Sequence, residues 1–435
     1  MINMIFHQHT KLVMPTIILY IFVTCSPVYA HIDPRTKPQE LIVCLDHNVL
    51  RVNPRNGKTL STIQDIAPCE RRSPDGSRVL LYDPKSLSIQ VHQAHQPEVA
   101  PKIAYRFSPK DNRLLQYRWM PDGTYQLIIV SALNSLTAST ESTCQKALPF
   151  TTLYERCWQG HEDIYIVVEG APMRRLTQFE APICEARFVP DQALISFRKG
   201  DNCIKGATSS DAFVVSIETA YTYAIRTARL GQDYISTLAN WSPDGKKVAV
   251  TQIDFNGFPK ATNSFAWAAL EQVLAGLPSK VITGTSTINM VSRLFWSTDS
   301  RYLAQVVNED LLIYDTSNST SKLLPLSKFS TPAYTCRAIN KIIWSPDNQH
   351  LGIVCDYGSI TFYDIKKGAA TQFVNVEFRF DNLTWSADSL YAAYQSFRGN
   401  ISTVYLFNTS MGRSVTLMHS SEITGSVREL AWSYD

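Results

Sequence analysis

Aspartate is the residue whose repetition in this chain first points to chemistry, because a carboxylate can bind a metal ion or transfer a proton. It recurs in a short motif, typified by Trp241-Ser242-Pro243-Asp244-Gly245. Proline, aspartate and glycine in this order are typical of a tight turn, in which aspartate caps its own backbone. Eight equivalent copies cannot all be active sites, so we predict structural turn residues, with no catalytic residue and no metal ligand among them. These residues are Asp75, Asp122, Asp191, Asp244, Asp299, Asp347, Asp388 and Asp435.

Histidine near acidic residues is a second pattern that could bind a metal ion. His92 and His95 stand three residues apart, and His161-Glu162-Asp163 forms a short polar run. Neither has a third ligand close by, and the chain lacks the Cys-x-x-Cys pair of many zinc sites. The Gly-x-Ser-x-Gly turn of serine hydrolases is missing as well. We therefore expect solvated loops at both places, and no cofactor.

The motif implies strands on both sides of each turn. An apolar stretch leads into the tryptophan, as in Asn340-Lys341-Ile342-Ile343-Trp344, and Leu351-Gly352-Ile353-Val354 follows the turn as a second strand. A third strand with aromatic residues, Ile360-Thr361-Phe362-Tyr363-Asp364, and a weaker fourth complete the unit. Short β-branched and aromatic runs between turns predict an all-β repeat. Six of the eight tryptophans stand in the motif, where their rings are predicted to fill the space between repeats.

The spacing of the motif predicts a β-propeller. Successive motif aspartates are 41 to 69 residues apart, and a four-stranded blade takes about 40–50 residues. Because the longer intervals need loop insertions, the spacing favours eight blades, with seven as the alternative. The last motif has only its first strand, Val427 to Trp432, and the complementary strands lie between Leu41 and Ile63. We therefore predict that the N- and C-terminal segments share one blade and close the ring.

The first 30 residues have the pattern of a secretory signal peptide. Lys11 precedes an apolar run from Leu12 to Cys25, and Val28-Tyr29-Ala30 fits the cleavage rule. A lipoprotein site at Cys25 is the alternative. The predicted organisation is a signal peptide (1–30), a linker (31–39) and one propeller domain (40–435). We expect export to the periplasm or secretion, without stable membrane insertion once the signal is removed.

Eight cysteines remain after removal of the leader, and an even number in an exported chain indicates disulfides. Two pairs share a spacing of 19 residues and occupy corresponding places in two blades, which indicates a disulfide at the same position in both blades. The predicted pairs are Cys184–Cys203, Cys336–Cys355, Cys144–Cys157 and Cys44–Cys69.

The motif of Trp241 to Gly245, followed by an apolar strand and a third strand ending in an aromatic residue and Asp, resembles the WD40-like (PD40) repeat of TolB-type propellers. Similar repeats form the propellers of prolyl oligopeptidase-type and dipeptidyl peptidase-type enzymes. The resemblance covers residues 40–435 and implies a propeller whose face or channel binds protein or peptide. The α/β domain of TolB-type proteins and the hydrolase domain of the peptidases have no counterpart, so neither activity is expected here.

These patterns favour an exported, non-catalytic propeller that acts as a protein–protein interaction or scaffold module for a protein or peptide partner. The alternatives are a propeller enzyme of glycosidase or lyase type and a propeller that binds a sugar or another small ligand. Nucleic acid is not an expected partner, because the net charge is +3 and no long basic run occurs. The oligomeric state is left open.

Two stretches, Ser131 to Gly160 and Phe255 to Asn289, break the repeat pattern and are predicted to contribute to partner binding. The second predicts either a short helix, with Asn263 or Ser264 as its N-cap, or a third strand.

Overall fold

A computed structural model describes most of the chain between Glu40 and Trp432. The described residues are 40–45, 48–56, 58–64, 73, 77–83, 85–93, 96, 98–106, 112–131, 162–178, 183–199, 211–226, 234–236, 239–254, 262–278, 280–282, 294–307, 310–330, 336, 338–355, 359–375, 383–398, 401–419 and 427–432. The predicted signal peptide, the linker and nearly all of the first irregular stretch lie outside this part of the chain. No helix in the described ranges is long and apolar enough to cross a membrane.

The chain forms eight antiparallel sheets arranged as the blades of a β-propeller, which confirms the predicted fold class and blade number. Blade 1 contains β32 (Val427–Trp432), β1 (Leu41–Leu45), β2 (Asn48–Val52) and β3 (Thr59–Gln64), and blade 2 contains β4 (Arg78–Asp83), β5 (Ser88–Gln93) and β6 (Lys102–Arg106). Blade 3 contains β7 (Asn112–Trp119), β8 (Tyr125–Ser131), β9 (Asp163–Val168) and β10 (Arg174–Arg175). Blade 4 contains β11 (Ile183–Phe188), β12 (Leu194–Lys199), β13 (Asp211–Ser216) and β14 (Thr222–Ala224).

Blades 5 to 8 follow in the same order along the chain. Blade 5 contains β15 (Tyr234–Ser236), β16 (Asn240–Trp241), β17 (Lys247–Asp254), β18 (Thr262–Ala269) and β19 (Lys280–Ile282). Blade 6 contains β20 (Leu294–Trp296), β21 (Tyr302–Val307), β22 (Asp310–Asp315) and β23 (Thr320–Leu324), and blade 7 contains β24 (Ile339–Trp344), β25 (His350–Cys355), β26 (Ser359–Asp364) and β27 (Ala369–Asn375). Blade 8 contains β28 (Leu383–Trp385), β29 (Tyr391–Arg398), β30 (Ile401–Asn408) and β31 (Arg413–His419). Helix α1 (Leu270–Leu274) follows β18, and a 3₁₀ helix (Leu326–Phe329) follows β23.

The blades are antiparallel meanders, with two departures from the order of the sequence: β32 lies beside β1 in blade 1, and β15 and β16 both pair with β17 in blade 5. The first strands of successive blades contact one another, as β20, β24, β28 and β32 do, which places these strands around the axis. The fourth strands end the sheets and therefore form the outer margin of the disc. Because adjacent strands are antiparallel, the motif turns and the connections between third and fourth strands emerge on the same face, which we call the motif face.

The hydrophobic cores lie between blades. One core joins Leu311 and Ile313 of blade 6 to Ile342 and Ile353 of blade 7. A blade therefore has apolar neighbours on both sides, which explains why all six residues of β26 are buried. Such a sheet has no solvated face of its own and depends on the neighbouring blades for its stability.

Blade 1 is composite, as predicted: β32 pairs with β1, in a register that sets Leu41 opposite Trp432 and Val43 opposite Leu430. The buried amide of Gln395 in blade 8 adds a polar link, since its Nε2 donates to the Val427 carbonyl over 3.3 Å. Pairing the two ends of the chain removes the open edges that an unclosed ring would expose.

The second irregular stretch contains both elements that its sequence allowed, in succession. Strand β18 occupies the positions proposed for a helix N-cap, so that N-cap prediction is wrong. The helix starts later, at Leu270, and Ala269 takes the N-cap position. Gly276 follows the helix with a φ of +69°, the left-handed conformation that glycine adopts without strain.

Deletion of residues 427–435 is expected to open the ring. It removes the β1 partner strand and three buried side chains, Val427, Leu430 and Trp432, so the free energy of unfolding should fall by about 5 kcal/mol or more. Chemical denaturation measures this, with deletion of residues 433–435 alone as the control. Equal stability of the two truncated proteins would contradict closure through β32.

Candidate interaction surface

The repeated aspartates on the motif face are bound within their own turns. In blade 7, Ser345 Oγ donates to Asp347 Oδ1 over 2.5 Å and accepts from the His350 N–H. The same carboxylate oxygen accepts from the Gln349 N–H. Equivalent serine–aspartate hydrogen bonds of 2.6 Å occur in Ser242–Asp244, Ser297–Asp299 and Ser386–Asp388. In these four turns the carboxylate caps its own turn.

Two further motif positions have particular surroundings, and two others are not described. Asp122 accepts from the Thr124 N–H in a shorter turn. Asp191 itself adopts a φ of +50°, which the other motif aspartates leave to the next residue. Asp75 and Asp435 lie outside the described residues.

The residue after the motif aspartate ties each turn to its neighbour. It has a positive φ in Gly245, Ser300, Asn348 and Ser389, and a Cβ at Gly245 would collide with the Pro190 carbonyl of blade 4. The side chains of Ser300, Asn348 and Ser389 each accept a hydrogen bond from a backbone N–H of the preceding blade. These bonds are Asp244 to Ser300 (3.2 Å), Thr298 to Asn348 (3.0 Å) and Asp347 to Ser389 (2.9 Å).

The motif tryptophans link the inner strands of successive blades. Three indole N–H groups donate to the carbonyl of the residue that precedes the motif tryptophan of the blade before. These bonds are Trp296 to Asn240 (2.8 Å), Trp385 to Ile343 (3.3 Å) and Trp432 to Thr384 (3.4 Å). The indole N–H groups of Trp241 and Trp344 are buried without a hydrogen-bond partner in the described part of the chain.

A further contact between blades was not predicted. The first residue of several second strands lies over the motif tryptophan of the next blade: the Arg78 guanidinium is 4.9 Å from the Trp119 ring centre. Aromatic rings take this place elsewhere, in Tyr302–Trp344 (5.8 Å), His350–Trp385 (6.0 Å) and Tyr391–Trp432 (6.4 Å). Because arginine, tyrosine and histidine share the position, no residue type marks it in the sequence.

The candidate metal patterns have structural partners where they are described. Glu162 accepts the Ile183 N–H over 2.7 Å, and Asp163 forms an ion pair with Arg175. His92 hydrogen-bonds to Gln90 over 3.1 Å, and burial lowers its pKa. His95 and His161 lie outside the described residues. In the described part of the chain, no group of three or more His, Cys, Asp or Glu side chains could hold a metal ion.

The Cys336–Cys355 disulfide is present, with 5.4 Å between the two Cα atoms. It joins the segment before β24 to the end of β25, so it staples the first two strands of blade 7. Cys44 is also disulfide-bonded. The partner of Cys44 and the pairs Cys184–Cys203 and Cys144–Cys157 lie outside the described side chains, so those pairings stay predictions.

Exposed apolar side chains gather on the outer hairpins of blades 3 to 5. We call this group the apolar rim; it consists of Met173 (39% exposed), Tyr221 (62%), Leu274 (38%) and Leu277 (52%). Arg174 Nη1 donates to the Glu218 carbonyl over 2.8 Å and joins the hairpins of blades 3 and 4. Helix α1 contacts β14 and extends the surface to blade 5. A groove of about 330 Å³ between blades 3 and 4 lies beside it, lined by Arg175, Leu176, Thr177, Gln178, Ala220 and Thr222.

Cations gather on the outer hairpins of blades 6, 7, 8 and 1. We call this group the basic arc; it consists of Lys322, Lys366, Lys367, Arg413, Arg55 and Lys58, all exposed. In the described parts of these hairpins no acidic side chain is exposed, because Asp315 and Asp364 are buried. The hairpins of blades 2 to 5 differ, since each contains a glutamate: Glu98, Glu169, Glu218 and Glu271.

Comparisons with known proteins give remote similarities. No family model matches the sequence, and no curated protein matches it. A solved oligogalacturonate lyase in complex with manganese aligns with a TM-score of 0.46 and 11% identity over 84% of each chain. The C-terminal WD40 domain of Sif2 aligns with a TM-score of 0.43 and 13% identity, over 76% of this chain and 78% of that chain. TolB from Acinetobacter baumannii aligns with a TM-score of 0.32 and 15% identity, over 64% of each chain. Such similarities assign neither ligand nor activity, and the propeller is defined by the chain's own strand order.

The hairpin at the start of the basic arc is expected to lose stability in acid. Hydrogen bonds from Arg301, opposed by burial, hold the pKa of Asp315 at about 2. The pKa of an aspartate in an unfolded chain is about 3.9. The Asp315 carboxylate therefore stabilises the fold above about pH 4, and this stabilisation is lost as the pH falls towards 2. Asp315→Asn should therefore cost about 1–2 kcal/mol at neutral pH and progressively less below pH ~4.

Thermal unfolding of wild type and variant across this pH range measures the difference. Glu218→Gln, on an exposed turn, is the charge-matched control. A stability difference for Asp315→Asn that stayed constant down to pH ~2 would contradict the assigned ion pair.

Proposed function

We propose that this protein is an exported, non-catalytic propeller of the TolB-type, WD40-like family that binds a protein partner. The apolar rim carries this proposal. Tyr221 and Leu277 each expose more than half of their surface, on hairpins of neighbouring blades that helix α1 connects. Arg174 links the hairpin of Tyr221 to that of Met173. Contiguous exposed apolar side chains on a soluble surface are typical of interaction sites.

The composition of the rim fits a protein interface. Tyrosine, methionine and arginine are enriched in such interfaces. The rim contains Tyr221 and Met173, and Arg174, next to Met173, donates to the turn that precedes Tyr221. Tyr221 packs edge-to-face against Tyr223, with 4.7 Å between ring centres, and this contact restricts its ring before a partner binds. A restricted aromatic side chain loses less conformational entropy on binding, which favours affinity.

The second irregular stretch contributes to this surface. Leu274 and Leu277 belong to α1 and the turn after it, in the connection between the third and fourth strands of blade 5. In repeat proteins, insertions of this kind lie on one face, often the one that binds. The Cys336–Cys355 disulfide supports the proposed export, since such bonds persist in oxidising compartments.

The double substitution Leu274→Ser/Leu277→Ser is expected to reduce partner capture at least about tenfold, because it removes the apolar contact area that blade 5 contributes to the rim. Cross-linking and pull-down from the native envelope or secreted fraction measure capture by wild type and variant. Ile103→Ser is the matched control, since Ile103 is 46% exposed on the outer strand of blade 2. Equal capture by all three proteins would refute the role of the rim. A glycosidase or lyase activity of the purified wild type would refute the non-catalytic assignment.

A further inference from the structure

The basic arc concentrates charge of one sign on a chain that is nearly neutral overall. The formal net charge of the whole sequence is +3, while four neighbouring outer hairpins present six exposed cations and, in their described parts, no exposed carboxylate. Ring closure brings these groups together, because it makes blade 1, with Arg55 and Lys58, the neighbour of blade 8, with Arg413.

Several of these cations have no rigid intramolecular role. Lys366 is exposed at the tip of the β26–β27 turn, next to Lys367, which is 71% exposed although it pairs with Asp364 over 3.0 Å. Lys322 extends from blade 6 towards the same turn. Its Nζ lies 3.8 Å from the position that a Cβ atom would take at Gly368, so the ammonium group is next to that turn. The ammonium groups of two blades therefore border one surface, where like charges repel. An acidic partner would relieve that repulsion and gain the interaction with each cation.

Aliphatic side chains are interspersed with the cations. Leu323 (54% exposed) follows Lys322, Leu60 (51%) is close to Lys58, and Met411 (52%) and Val415 (42%) stand on either side of Arg413. The exposed large apolar residues of these hairpins include no aromatic ring in the described part. Single-stranded nucleic acid is usually held by aromatic stacking, so this composition favours a protein segment.

The outer strands of the arc also offer backbone groups. β23, β27, β31 and β3 each end a sheet, so one edge of each has no strand partner within the described part of the chain. An extended segment can pair with such an edge, while its side chains contact the neighbouring surface.

We propose that the basic arc binds an extended, acidic segment of a partner protein, in which Asp and Glu side chains are interspersed with aliphatic ones. This inference rests on the proposed function, since it names the chemistry of the partner. Electrostatic attraction would steer the segment to the arc, and contacts with the aliphatic side chains would hold it there.

The test uses the full chain and a fluorescently labelled synthetic peptide that repeats Glu-Leu-Asp-Val. The arc variant is Lys322→Glu/Lys366→Glu/Arg413→Glu. The control variant, with the same change in net charge, is Lys85→Glu/Lys102→Glu/Arg226→Glu, at exposed positions outside the arc. Fluorescence anisotropy measures affinity, and thermal unfolding checks that both variants fold.

We expect the arc variant to bind the peptide at least about tenfold more weakly than wild type, while the control variant changes affinity less than about threefold. Added sodium chloride should weaken wild-type binding, because it screens exposed charges. A peptide with Gln and Asn in place of Glu and Asp should not bind. Equal losses in the two variants, or an unchanged arc variant, would overturn the inference.

Two further measurements separate this inference from the proposed function. Stronger binding to phosphatidylglycerol vesicles or to single-stranded DNA than to the peptide, lost in the arc variant, would overturn the assignment of a protein segment. A native protein partner captured equally by wild type and arc variant would leave the proposed function standing and refute the arc as its site.

Discussion

The contact between the motif tryptophan of one blade and the inner strand of the blade before is the interaction on which this structure depends. Each blade has apolar side chains on both faces and is stable only between neighbours. Trp385 fills the gap to blade 7 and hydrogen-bonds the Ile343 carbonyl. The same bond from Trp432 joins the end of the chain to blade 8, so ring closure repeats the contact that Trp296 and Trp385 make with the blades before them.

The fold could be predicted from the sequence because these contacts use the same residue types in most of the repeats. Tryptophan, serine and aspartate stand at fixed positions since each makes a specific contact: an indole to a carbonyl, or a hydroxyl to a carboxylate. The composite blade was predictable for a similar reason, because Val427 to Trp432 has the pattern of a first strand without a second. Contacts that tolerate several residue types left no pattern. Arg78 and Tyr391 are chemically unlike, yet each covers the next motif tryptophan.

The candidate surfaces could be predicted only in part. The second irregular stretch is visible in the sequence because it departs from the repeat. Its helix α1 supplies Leu274 to the apolar rim. The basic arc leaves no signal along the chain, since Lys58 and Arg413 are far apart in sequence and come close only through ring closure. The exposure of a charge also depends on its partner: Asp315 and Asp364 are acidic residues of the same hairpins, but they are buried at the ends of third strands.

A division of roles follows from these contacts. The repeated residues form the motif turns and the contacts between blades, which leaves the outer hairpins as the variable surface for binding. Hydrogen–deuterium exchange of the wild-type protein, with and without its captured native partner, tests this account most directly. We expect slower exchange in the outer hairpins, within residues 217–226 and 270–278 of the apolar rim or 320–324 and 409–419 of the basic arc. Slower exchange confined to inner strands, around Arg187 and Asn340, would place the ligand in the central channel and contradict the account.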